Sequence, residues 1–256
     1  ETIGRVSMPT ILITGFGPFP GAPYNPTVKL VRALARLRRP ALADVTVVSH
    51  VFETSYAAVD RELPELIARH TPDALLMFGL HGRARTLRIE TRARNALALL
   101  PDVSGKVLRR GVIDGGAASA HRMPMPARHL LAAAKAARVP AVLSRNAGRY
   151  LCNYLCWRAS EAVTGGGPRL TAFVHVPPVA RVVRPMSNRS AFFSVRPRES
   201  GDPGAKELDS RFRGKERRMG RPHSTNSKSN YRYTSTDLLR AGQNLLVALV
   251  AAVNRV

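Results

Sequence analysis

Three residues far apart in the chain, a cysteine, a histidine and a glutamate, have the types needed to activate a thiol. Cys152 lies in SRNAGRYLCNYLCW, where an apolar run (Ala141 to Leu143) passes through an Asn-Ala-Gly turn into a helical pattern over 149–163. The first turn of a helix offers free N–H groups and the positive end of the dipole, both of which favour a thiolate. The same donors can stabilise an oxyanion. Cys156, one turn further on, is expected to face the interior and be inert. A nucleophile needs a base within hydrogen-bond reach. His175 ends the strand-like stretch RLTAFVHVPP, whose two prolines stop the sheet just beyond it. Glu90 ends a short β-type run, 86–90, and is the candidate to orient the imidazole. Each residue also has an ordinary reading. A helical Cys serves as a small buried hydrophobe, a strand His as a structural group, and Glu90, flanked by Arg88, Arg92 and Arg94, as a surface ion-pair partner. The other histidines show no metal-binding spacing such as HExxH, so no metal site is expected.

A second feature is the stretch TILITGFGPFPGAPYNPT at 10–27. Strand, glycine turn and helix in that order suggest a dinucleotide cradle, but the third glycine of G-x-G-x-x-G is replaced by Pro20. Pro18 and Pro20 also remove two N–H donors, and the region where a ribose-binding acid belongs reads ARLRRPALA. No Gly-Lys-Ser/Thr follows either, so the nucleotide reading fails. What the loop does present is Phe16 and Phe19, just past the C-terminal end of a strand, where open α/β sheets bind ligands. The two rings either wall a flat apolar pocket or plug the core.

These groups have to be held by a scaffold of alternating elements. Apolar β-type runs at 10–15, 45–52, 74–79, 86–90, 141–144 and 170–176 alternate with helical patterns at 27–38, 56–70, 126–138 and 149–163. The final segment reads as a strongly apolar helix over 235–256, with Ser235 and Thr236 as N-cap candidates. The alternation argues for an α/β layered fold with a largely parallel sheet covered on both faces. Residues 1–8 read as an N-terminal extension, 9–185 as the main domain and 186–234 as a disordered insertion ahead of the last helix of the same domain. The pattern stops between Met186 and Thr234, where 12 Lys/Arg against 5 Asp/Glu contribute +7 of the net +23. The phrase RESGDPGAKELDSRFRGKERR resembles a translated copy of a short palindromic genomic repeat, which makes a genetic insertion the expected origin.

Arginines are spread along the whole chain without an aromatic-interleaved stripe, so nucleic acid is not expected as a partner. Two cysteines four apart do not suit a disulfide. No signal-peptide h-region opens the chain, and the apolar run LLVALVAAV is short for a membrane span. A soluble, cytoplasmic protein without membrane contact is expected.

With these segments lined up, the chain resembles the pyroglutamyl-peptidase I (pyrrolidone-carboxylate peptidase) family of cysteine peptidases. TGFGPF with the following NPT is similar to the family's TGFxPFxxxxxNPS signature. LRIETRARN, SRNAGRYLCN and FVHVP resemble the segments that carry its glutamate, cysteine and histidine, in the family's order. The resemblance runs from about Pro9 to Pro178 and resumes in the last helix. It implies a three-layer α/β/α sandwich around a twisted, largely parallel mixed sheet, removal of an N-terminal pyroglutamyl residue from peptides, no cofactor, and a homo-oligomer, tetramer or dimer. By motif position, Cys152 would be the nucleophile, His175 the base and acid, and Glu90 its orienting partner. Phe16 and Phe19 would sandwich the lactam ring, Tyr150 and Leu151 would lie near its edge, and Asn25 would brace the loop or site. Leu80 would occupy a pocket position where the family has glutamine, because GLHGRA stands for Gly-Gln-Ala-Gly-Gly-Arg and leaves Arg83 and Ala84 at its Gly-Arg pair. These departures leave a second expectation open, an inactive or substrate-shifted homologue that acts as a binding protein, with the basic insertion as its nucleic-acid contact.

Overall fold

Six parallel or antiparallel strands form a single mixed sheet whose two faces are covered by helices. The structure, a computed structural model, describes residues 8–19, 21–180 and 233–255. In chain order these residues form β1 (Thr10–Phe16), α1 (Pro26–Ala35), β2 (Thr46–Phe52), α2 (Tyr56–His70), β3 (Ala74–Leu80), β4 (Leu87–Glu90), β5 (Arg92–Arg94), β6 (Ala120–Arg122), α3 (Ala127–Ala136), β7 (Ala141–Ser144), α4 (Leu151–Thr164), β8 (Leu170–Val176) and α5 (Ser235–Val253). The large sheet has the order β2-β1-β3-β8-β4-β7. Every pairing in it is parallel except β4 with β8.

The layers follow from the alternation of side chains along the strands. Ile11 and Ile13 of β1 join one apolar cluster with Leu30, Val31 and Leu34 of α1, Leu130 and Ala134 of α3, and Leu245, Leu246 and Leu249 of α5. Leu12 and Phe16 point the other way, into a cluster with Tyr56, Val59 and Leu63 of α2 and Leu155, Cys156 and Trp157 of α4. Near-continuous apolar runs such as ALLMFGL in β3 are what a strand buried on both faces requires. The three-layer α/β/α expectation is met.

The helix starts are specified locally. Asn25 caps α1 through its Oδ1, which accepts from Thr27 N at 3.1 Å, and Pro26 follows at N1. Ser55 caps α2 by accepting from Ala58 N. α5 opens with a reciprocal capping box between Thr234 and Asp237, so the cap lies one residue before the expected Ser235 and two before Thr236.

Three differences from the sequence reading follow. The two-stranded ladder of β5 and β6 was not expected. Tyr233 and Thr234, assigned to the insertion, belong to the fold: Tyr233 is buried, its hydroxyl donates to the Arg85 and Pro140 carbonyls, and it bridges to Val179. Finally, α5 is by length and composition alone long and apolar enough to cross a membrane, which LLVALVAAV by itself is not. Its buried residues pack against α1, α3 and β3, which accounts for the apolar composition as core. Residues 1–7 and 181–232, which hold most of the expected extension, the end of the expected main domain and most of the expected insertion, lie outside the described residues.

Candidate active site

The site is built from one row across the sheet. Register places Gly79 of β3 beside His175 of β8, and His175 beside Arg88 of β4. Two residues along, Met77, Phe173 and Glu90 form the next row on the same face. Because side chains alternate, His175, Arg88, Glu90 and Phe173 all project toward the α2–α4 layer, while Ile89 and Val174 go to the opposite core.

Gly79 has no side chain on that face, and α4 uses the gap. A Cβ at Gly79 would lie 2.7 Å from the Cys152 Sγ and 2.6 Å from Cζ of Phe173. Cys152 is the second residue of α4, whose N-cap, Tyr150, makes no side-chain capping hydrogen bond. The helix start therefore presents its N–H groups beside the thiol.

His175 is 3% exposed, and its Nδ1 lies 2.9 Å from Glu90 Oε1. That contact leaves Nε2 for Cys152, and the ring hydrogen-bonds the Cys152 sulfur. Burial alone would depress the imidazolium. The charge of Cys152 and the hydrogen bonds to Cys152 and Glu90 outweigh it and push His175 up to about 9. Burial would raise the Glu90 carboxyl, but hydrogen bonds from His175 and Ser144, with the nearby charges of His175 and Arg88, hold it below the ordinary carboxylate range. Arg88 completes this side: its Nη2 donates to Ser144 Oγ at 2.7 Å and its Nε lies 3.4 Å from Glu90 Oε1. Cys156 is fully buried, and desolvation pushes its thiol well above the ordinary range, which keeps it out of the chemistry. A thiol, an imidazole and a buried carboxylate in series form an arrangement that activates sulfur as a nucleophile and returns a proton to a leaving group.

The pyroglutamyl peptidase family profile matches residues 9–194. The pyrrolidone-carboxylate peptidase of Clavibacter michiganensis is 34% identical over 172 residues, which cover 66% of this chain and 79% of that one. That of Pyrococcus furiosus is 30% identical over 169 residues, 65% of this chain and 80% of that one. This chain belongs to the pyroglutamyl peptidase family. A solved pyrrolidone carboxyl peptidase from Thermococcus litoralis superposes with a TM-score of 0.72 over 97% of this chain and 96% of that one, at 22% identity, and shows the same fold.

Within this family member, the residues expected to contact substrate occupy different settings. Phe16 is 2% exposed and packs on Phe52, with ring centroids 5.9 Å apart, in the α2–α4 core. Phe19 is half-buried on the loop, where it bridges to Ala22. Asn25 has the bracing part: besides capping α1, its Nδ2 donates to the Gly17 carbonyl at 3.1 Å. Leu80 is half-buried at the end of β3, opposite Val176. Tyr150 anchors its hydroxyl on the Pro101 carbonyl at 2.7 Å, and Leu151 is 1% exposed in the core.

Several residues that shape the site carry no motif. Asn153 is fully buried; it accepts from Arg94 N and donates to the Arg94 and Ala96 carbonyls, fastening the segment after Glu90 to α4. Asp102 accepts from Tyr56 N at the start of α2 and from Ser104 and Lys106 N. Burial would raise its carboxyl, and these hydrogen bonds bring it below the ordinary range. Gly79, Ser144 and Arg88 owe their places to cross-strand register, which the sequence does not print.

Proposed function

We propose that this chain is a cysteine exopeptidase that hydrolyses the N-terminal pyroglutamyl residue from peptides. The observation that carries the reading is the Cys152–His175–Glu90 series inside the fold of this family. Cys152 sulfur attacks the pyroglutamyl carbonyl carbon, and the oxygen that gains charge faces the N–H groups at the start of α4. His175, held by Glu90, gives its proton to the departing amine, which leaves a thioester. Neutral His175 then takes a proton from water as the hydroxide adds to the thioester carbon, and pyroglutamic acid departs with the sulfur restored as thiolate. The thiolate is itself the nucleophile, so the sequence of steps calls on no metal or other cofactor.

Phe16 and Phe19 are proposed to frame the flat lactam, with Asn25 holding their loop through Gly17. Leu80, Tyr150 and Leu151 are proposed to line the edge beside Cys152. Leu80 supplies an apolar wall where the resemblance calls for glutamine, and this supports a second reading in which a different small N-terminal lactam or acyl group is preferred. We also propose a cytoplasmic homo-oligomer, with no membrane or nucleic-acid partner. Val142 and Leu143 are 40% and 41% exposed on the edge strand β7, an apolar surface that a second copy would cover.

Release of a fluorogenic amine from a pyroglutamyl amide tests the activity. Wild type is expected to turn over and iodoacetamide to stop it, while Cys152→Ala stays folded and inactive. Turnover retained in Cys152→Ala would remove the assigned nucleophile. Activity on other N-acyl amides alone would select the second reading.

A further inference from the structure

His81 takes no part in the steps above, yet it lies against the imidazole that performs them. It follows Leu80 at the end of β3, and its N–H donates to the Val176 carbonyl at 2.9 Å, which carries the β3–β8 ladder one step past the strand. Its own carbonyl accepts from Ala84 N, so the backbone is fixed on both sides. Alternation puts His81 on the same face as Gly79, two residues back, and therefore on the face of His175. Its ring meets that of His175 edge-on, with centroids 5.4 Å apart and planes at 87°. Phe173 touches the same imidazole with centroids 5.0 Å apart. His175 is thus a buried ring touched by Phe173 and by a half-exposed histidine.

We propose that His81 is a positioning residue for His175: neutral, it packs the imidazolium against Glu90 and Cys152, and protonated, it repels that imidazolium and sets the acid limit of the site. The groups that face His81 are His175 on β8 and Arg88 and Glu90 on β4. Burial, and after it the charges of His175 and Arg88, hold its imidazole below the ordinary range, so it is neutral at neutral pH and gains charge in acid. A second cation this close to His175 pushes the imidazolium away from Glu90 and Cys152, so turnover falls in acid although His175 keeps its proton.

The role in turnover rests on the peptidase reading; the coupling of the two rings does not, and the experiment separates them. His175 is followed by NMR of histidine-labelled protein as a function of pH, and kcat/KM for a pyroglutamyl amide is measured over the same range, in wild type, His81→Asn and His81→Lys. In wild type the His175 resonance is expected to show a second inflection below pH 6.5, where His81 gains its proton, and His81→Asn is expected to lose it. The acid limb of kcat/KM in His81→Asn is expected to move down by about half a unit or more, with a slope closer to one proton. His81→Lys carries at pH 7.5 the charge that wild type gains only in acid. Its kcat/KM there is expected to fall about tenfold or more because the repelled imidazolium is displaced, and the main His175 midpoint is expected to drop by about one unit. Identical His175 midpoints and pH limbs in all three proteins would overturn the proposal. So would equal losses in both variants with unmoved midpoints, which a structural role alone produces. Ring coupling in a wild type that fails to cleave the amide would leave the proposal standing and count against the peptidase reading.

Discussion

At the scale of single residues, the site depends as much on an absent side chain as on those present. Gly79 leaves the space that the Cys152 sulfur occupies, and both neighbours of a new Cβ are constrained: Phe173 is fully buried, and Cys152 is fixed at the start of α4. Gly79→Ala is therefore expected to lower kcat/KM at least about tenfold while the protein stays folded, because a shift of about 1 Å in a reacting group costs that much or more. Parallel measurements of turnover, iodoacetamide alkylation and circular dichroism check this. The protonation state of His175 gives a second prediction. Its folded value, about 9, lies above the ordinary 6.5. The stabilisation it represents is therefore fully present below about 6.5 and lost as pH rises through about 9. Activity is expected to fall along the same alkaline limb. In Glu90→Gln one of the supporting hydrogen bonds is weakened and the negative charge is gone, so that limb should move to lower pH and kcat should drop. A limb in the variant that coincides with wild type would show that Glu90 does not hold the imidazolium.

At the scale of elements, most of the scaffold could be read from periodicity because each large element is strongly apolar on at least one face. Strand runs such as TILITGF and ALLMFGL and the 56–70 helix stand where the sequence puts them. The β5–β6 ladder is not legible in the sequence because RAR and AHR are three residues each and rich in arginine and histidine, with no β-type composition to mark them. β5 is held by Asn153, whose side chain accepts from Arg94 N and donates to the Arg94 carbonyl from a helix 59 positions further along the chain. The same limit applies to the site. The segments of Glu90, Cys152 and His175 were legible, whereas Gly79 and His81 acquire meaning only from which strand lies beside which. Phe16 shows the converse, since an aromatic expected just past a strand is the last residue of β1 and packs into the core on Phe52. The Asn25 cap joins both concerns, because one side chain starts α1 and holds the Gly17 carbonyl of the loop. Asn25→Ala is expected to destabilise the protein by about 1–2 kcal/mol and to raise KM more than it lowers kcat. Thermal unfolding and steady-state kinetics on the same preparation check both parts.

At the scale of the whole molecule, the decisive contact lies between Val179 and Tyr233, the residues that flank the long segment after β8. They form a β-bridge, and Ala180 N donates to the Tyr233 carbonyl at 2.8 Å. The two ends of the segment are thus adjacent in the fold, and the last helix re-enters beside the strand that carries His175. Replacing residues 181–232 with about four residues of Gly and Ser is expected to keep the active site and the α5 packing. Loop-closure entropy alone favours the shortened chain by about 2 kcal/mol. Chemical denaturation with measurement of kcat/KM checks this, and loss of α5 from the fold on deletion would contradict it. The same contact has a consequence for the history of the chain. Where two neighbouring residues already hold hands, DNA can be added or lost between their codons without altering the distances among Glu90, Cys152 and His175. If the shortened chain keeps its activity, selection on catalysis would not register such events, and foreign sequence arriving in frame at this place in the gene would persist.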